Sequence, residues 1–170
     1  MRSKSFIIGA VVGLVLLGSA FTFYSYVLAP SQHAESRQVT LYFANSQVTQ
    51  VAPEKRVLSV EVTPEAIVFE LIKGPQTADL FPTIPQGTRL LSVKVADRIA
   101  YVNFSREAKD NHSGGSAAEL MLVYSVVASL TELPEVAELQ FLLEGVIEPS
   151  IWGHMNTDLP IPPDDNFIAR

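Results

Sequence analysis

The chain has 170 residues, no cysteine, and 12 basic against 18 acidic residues, for a formal charge of −6. The lack of cysteine excludes disulfides, thiol nucleophiles, thiolate metal sites and the acylation that anchors a bacterial lipoprotein. Setting Arg2 and Lys4 aside leaves 10 basic residues against 18 acidic, a charge of −8, which argues against nucleic acid and anionic lipid as partners because both need a basic surface.

The first element is the uncharged run from Phe6 to Ala29, preceded by Arg2 and Lys4. As a helix rising about 1.5 Å per residue it spans roughly 36 Å, enough for a hydrocarbon core of about 30 Å. Residues 1–29 are therefore expected to form a signal-anchor transmembrane helix in the cell membrane, with a cytoplasmic N-terminus and an extracytoplasmic C-terminal domain. Phe21, Phe23, Tyr24 and Tyr26 supply an aromatic belt at the outer interface. The alternative is a signal peptide cleaved after Ala29, which fits less well because Val27 is large and Pro30 would follow the cut directly. Gly9 and Gly13 form a GxxxG pair, explained as readily by the glycine content of membrane helices as by helix pairing.

A short polar linker over residues 30–37 leads to one domain, expected over 38–158, and a proline-rich acidic tail over 159–170. Val39–Phe43 reads as a first strand and Val57–Val62 as a second. Thr63-Pro64-Glu65 starts a helix that runs to Lys73, with Ile67, Val68, Leu71 and Ile72 on one face and Gly74-Pro75 as its stop. Pro85-Gln86-Gly87 suits a type II turn. A hairpin follows, in which Leu91, Val93 and Val95 are expected to share a buried side with Ala100, Val102 and Phe104 around a turn at Asp97-Arg98. Asp110–Gly115 reads as a flexible loop, and Ser116-Ala117-Ala118-Glu119 as a capping box opening a long helix that is apolar almost all round and so central. Val136–Leu143 is the last strand, and Gly145 marks the turn behind it. This order predicts an α+β fold: a two-layer sandwich with a mixed sheet of about five strands and two helices on one face.

Seven blocks of the domain, taken together, resemble the GerMN domain family of sporulation and spore germination proteins. They are Leu41-Tyr42-Phe43, Leu71–Pro75, Ile84–Thr88, Ala100–Ser105, Gly115–Glu119, Leu130-Thr131-Glu132 and Leu139–Leu142 with Gly145, and Gly153-His154 fits as well. The chain differs in having one copy and a helical anchor, where many members are lipoproteins or hold two copies, and in having Asp97-Arg98 where Asp-Gly is usual. The resemblance implies likeness to ring-building domains of envelope machines, with no catalytic residue and no cofactor.

The residues give little sign of chemistry on their own account. Asp110, His112, Ser113 and Ser116 crowd one loop, whereas the members of a Ser-His-Asp triad come from separate rigid segments, and there is no Gly-x-Ser-x-Gly elbow. A serine hydrolase is thus the least favoured alternative, and a non-enzymatic protein is expected. His33, His112 and His154 lack ligand spacing, and Asp158, Asp164 and Asp165 lack the pattern of a calcium loop. Trp152 with His154 is the one aromatic pair suited to stacking on a cell-wall sugar, against the plainer reading that Trp152 covers the sheet edge. Tyr101 and Leu142 fall out of phase with the buried sets and suit a contact face. The expected interaction surface is therefore Tyr101, Leu142, Trp152 and His154. The expected partners are the membrane, envelope proteins or further copies of the chain, and peptidoglycan, but no nucleic acid.

Overall fold

A computed structural model of the protein describes residues 36–169, and the expected anchor over 1–29 lies outside them together with most of the linker. The described elements are β1 (Arg37–Ala44), β2 (Val51–Leu58), α1 (Pro64–Lys73), β3 (Leu90–Ala96), β4 (Ile99–Phe104), α2 (Glu107–Asp110), α3 (Ser116–Thr131) and β5 (Glu138–Leu143). The class is α+β as expected, but the five strands form two sheets: an antiparallel β1-β2 pair, and β3-β4-β5 with β3-β4 antiparallel and β4-β5 parallel. Among the described residues no helix is long and apolar enough to cross a membrane.

The centre is α3. Ten consecutive residues, Met121 to Leu130, are buried, which follows from a sequence with no polar stripe. It packs on β1, β2 and β5, while α1 packs on β1 and β3, so the helices join the two sheets. Two of its buried polar side chains, Ser125 and Ser129, explain why the sheets do not merge. Ser129 Oγ accepts the amide of Tyr42 at 2.9 Å, and Ser125 Oγ donates to the Tyr42 carbonyl at 2.5 Å. One residue pair further on, Ala44 exchanges both backbone hydrogen bonds with Phe81, at 3.2 and 2.9 Å. The outer edge of β1 is thereby occupied by a helix and a loop, and no strand can join there.

α1 has the expected bounds. Thr63 accepts the Ala66 amide at 3.2 Å, Pro64 occupies the first turn, and Gly74 ends the helix at φ 83. β2 starts six residues and ends four residues earlier than the hydrophobic pattern suggests, because two of its inward positions are charged: Glu54 and Arg56 are buried beside Val51 and Leu58, whereas Val57 is 61% exposed. Arg56 pairs with Glu54 and Glu70 and donates to the carbonyls of Glu70 and Gly74, and Glu54 accepts the amides of Gln76 and Thr77 at 2.8 Å. The pair thus satisfies the C-terminal carbonyls of α1 and the loop behind it, which makes burial of its charge tolerable. Burial pushes the Glu54 carboxyl up, but the Arg56 hydrogen bond and the two amides outweigh it and hold it below its ordinary value of 4.5; burial likewise opposes, and Lys73 and Arg56 win, at Glu70.

The hairpin departs from the expected face. Leu90 pairs with Phe104 and Ser92 with Asn103, so Leu91 is the extra residue of a bulge; it is 44% exposed, and Leu90 takes the inward place instead. Val93 is buried with Ala100, Val102 and Phe104, but Val95, near the tip, is 38% exposed. Asp97 and Arg98 have φ of 51 and 64, the left-handed pair of a type I′ turn. The loop before α3 contains a short helix, α2, that the sequence reading missed. Residues 159–169 are extended and packed: Ile161 exchanges hydrogen bonds with Leu139 of β5 at 3.0 and 2.7 Å, and the Phe167 carbonyl and Ala169 amide bind Val51 of β2, both at 2.8 Å.

Two consequences are measurable. Arg98→Gly relieves a left-handed arginine and is expected to stabilise the domain by about 0.5–1 kcal/mol, read as a higher urea midpoint. Because both depressed carboxyls bind protons more tightly in the unfolded chain, their stabilisation is complete above the ordinary value and is lost as pH falls through the folded values. The urea midpoint should therefore hold between about pH 7 and 5 and drop below about 4.5, with a shallower drop in Glu54→Gln.

Candidate functional site

The loop from Glu148 to Thr157 is closed on itself: Thr157 donates its amide to Pro149 O and its hydroxyl to Glu148 O, and its Oγ1 accepts the Ile151 amide. Glu119, in the first turn of α3 and fully buried, fastens this loop to the core. Its carboxylate accepts the amides of His154 at 3.1 Å and Met155 at 2.9 Å, and lies 2.8 Å from His154 Nδ1. An acid near the positive end of a helix is well placed electrostatically. This replaces the expected capping box: the N-cap is Gly115, with no side-chain cap, and Glu119 reaches the loop instead of the Ser116 amide. The sequence spacing was right for a cap, and only a partner 35 positions away decides otherwise.

Trp152 is held in the same loop. Its Nε1 donates to Ala108 O at 2.8 Å, its ring meets Phe141 edge-on at 5.7 Å, and the His112 ring lies 6.2 Å away. Trp152 therefore covers β5 and the end of α2, and His154 is engaged with Glu119 while half exposed. Each of these two residues, 2 positions apart on one loop, is thus engaged by its own partner within the domain. Asp110, His112, Ser113 and Ser116 share no hydrogen bond among the described contacts.

Tyr101 and Leu142 do come together. The parallel register sets Tyr101 beside Gln140 and Asn103 beside Leu142, so both side chains lie on one face of β4-β5, and both are partly exposed. Lys94 of β3 is opposite Tyr101 on that face. Next to it runs the outer edge of β3. In a two-residue hairpin Ala96, Lys94 and Ser92 bond inward to β4, which aims the backbone groups of Val93 and Val95 outward. Among the described residues the other three sheet edges are each closed over part of their length, with β2 still open at Lys55 and Val57, whereas β3 has no such closure. β1 is closed at Tyr42 and Ala44, β5 at Leu139 by Ile161 and at Leu143 by Val146, and β2 at Val51 by the tail, with Pro53 next along that edge.

If Glu119 fastens the 148–157 loop, Glu119→Ala should cost about 1–3 kcal/mol of stability for the stranded donors. In hydrogen exchange the His154 and Met155 amides should then exchange faster while the α3 interior stays protected.

The family Germane, described as sporulation and spore germination, matches residues 40–148, well over half of the chain. A candidate lipoprotein from Clostridium perfringens, known at 2.5 Å, is similar at 26% identity with a TM-score of 0.56, over 75% of this chain and 87% of that one. The first GerMN domain of the sporulation protein GerM from Bacillus subtilis shares the fold at 16% identity and a TM-score of 0.58, over 76% of this chain and 98% of that one. The tandem GerMN domains of GerM align at 16% identity and a TM-score of 0.59, over 77% of this chain but 45% of that one. No curated protein matches the chain in sequence.

Proposed function

The chain belongs to the sporulation and spore germination family, which it matches over residues 40–148, and on that premise we propose that it is a non-catalytic assembly module held at the outer face of a bacterial cell membrane. The uncharged run Phe6–Ala29 behind Arg2 and Lys4 serves as the anchor, and the likeness to a candidate lipoprotein is in keeping with a domain tethered to a membrane. Tethering concentrates the domain at the surface, so that a weak contact suffices for association.

The observation that carries the reading is the open edge of β3. An unprotected edge offers main-chain hydrogen bonds to another chain, and proteins commonly block such edges. This domain closes part of the other three with its own helix, loop, turn and tail and leaves β3 open along its length, with exposed Val95 and with Tyr101 and Leu142 on the adjoining face. Lys94 gives that surface a positive charge, and the rest of the domain is strongly acidic, so further copies of the chain or another acidic envelope protein meet it favourably.

Photo-crosslinking of the full-length protein in its native membrane, from a probe at Ser92, tests this. A ladder of self-adducts or one recurring envelope protein is expected. Val95→Pro, which removes an outward amide and spares the β3-β4 ladder, should abolish the adducts at nearly unchanged stability. Adducts that survive both Val95→Pro and the double change Tyr101→Asp with Leu142→Asp would refute the edge as the contact surface, and adducts to glycan alone would refute assembly.

A further inference from the structure

A cleft of about 660 Å³ opens between the 82–87 segment and the 111–114 loop. Its size lies in the range of small-molecule sites, roughly 300–1,000 Å³. None of its lining residues carries a formal charge, although the chain has 12 basic and 18 acidic residues. Other clefts of the domain are charged: one is lined by Lys55, Arg56, Glu70 and Lys73, another by Arg37, Glu132 and Glu135. The neutral cleft is instead lined by Gln86, Asn111, His112 and Ser113 together with Pro82 and Pro85.

The walls are braced. Asn111 Nδ2 donates to Gln86 O at 2.8 Å across the cleft mouth, and Gly87 sits at φ +87 where a Cβ would come within 3.2 Å of that same nitrogen. The His112 ring lies 6.2 Å from Trp152, and its buried Nε2 has no hydrogen-bond partner among the described residues.

We propose that this cleft binds a neutral oligosaccharide. Neutral amides, a hydroxyl and an imidazole match sugar hydroxyls, which both donate and accept, and proline rings match the C–H faces of a pyranose. An anionic ligand would gain nothing from these side chains, and a purely apolar one would strand their polar groups. The proposal relocates glycan recognition from Trp152, which is engaged in packing, to the loop on the other side of His112, and it is independent of the β3 edge.

Trp152 is the sole tryptophan and lies beside His112, so it serves as the reporter. The full-length protein in detergent is titrated with chitotetraose and, separately, with cellotetraose and inorganic phosphate. A saturable shift of Trp152 emission with either tetrasaccharide is expected, and a preference for chitotetraose would assign the site to N-acetylated wall sugars. Gln86→Ala combined with Ser113→Ala, both exposed, should weaken binding about tenfold with an unchanged thermal melt. Saturation-transfer NMR on the sugar protons gives a readout that does not pass through the tryptophan. No saturable response to either sugar by about 10 mM, undiminished binding by the double variant, or saturable binding of phosphate alone would overturn the proposal.

Discussion

Everything in this domain is arranged around a helix that offers a strand two serines. α3 is buried on all sides, so any polar group on it must find an internal partner. Ser125 and Ser129 find the backbone of Tyr42, and each hydroxyl is used twice: Ser125 also accepts from Thr83 Oγ1 at 2.7 Å, and Ser129 also donates to Ser125 O at 2.7 Å. The result is a continuous run of hydrogen bonds from the 82–87 segment through α3 into β1. It satisfies a strand edge in the middle of the core, where an unpaired amide or carbonyl would cost about 1–3 kcal/mol each.

That constraint divides the strands into two sheets and leaves the helices to join them. It also gives the tail its task. Residues 159–169 add a bridge to β5 at Ile161 and another to β2 at Ile168, with Phe167 stacked on Tyr124 of α3 at 4.7 Å. The same segment therefore closes one edge of each sheet and rests on the central helix between them. The β3 edge with its flanking face lies at one place on this frame, and the neutral cleft beside the start of α3 at another.

Much of this was legible in the sequence where the signal was local. Thr63, Pro64 and Gly74 delimit α1 because caps and breakers act within a turn of the residues that carry them, and the unbroken apolar run of α3 could only be interior. The seven family blocks placed the fold. The misses came from partners remote in sequence. β2 was misplaced because Glu54 and Arg56 neutralise each other inside, which breaks the alternation that marks a strand. Glu119 had the spacing of a capping box, yet its carboxylate went to the amides of His154 and Met155. The bulge at Leu91 shifts the hairpin face by one residue, and nothing in Leu90-Leu91 says which of the two turns inward. Nothing in the proline-rich tail says that Ile161 and Ile168 anchor it to two sheets. Of the expected surface residues, Tyr101 and Leu142 share one partly exposed face, while Trp152 and His154 are taken up by Ala108 and Glu119; the cleft at Gln86 and His112 is formed by segments too far apart to be read together.

The central claim is that the domain closes part of every sheet edge except β3 and uses that edge to associate. Amide hydrogen exchange on the full-length protein, dispersed in detergent and then in its native membrane, addresses it most directly. The account predicts that the amides of Tyr42, Ala44, Val51, Leu139 and Ile161 are protected in both states, while those of Val93 and Val95 exchange fast in detergent and become protected in the membrane. Fast exchange at Val93 and Val95 in membranes where the protein is demonstrably assembled would contradict it.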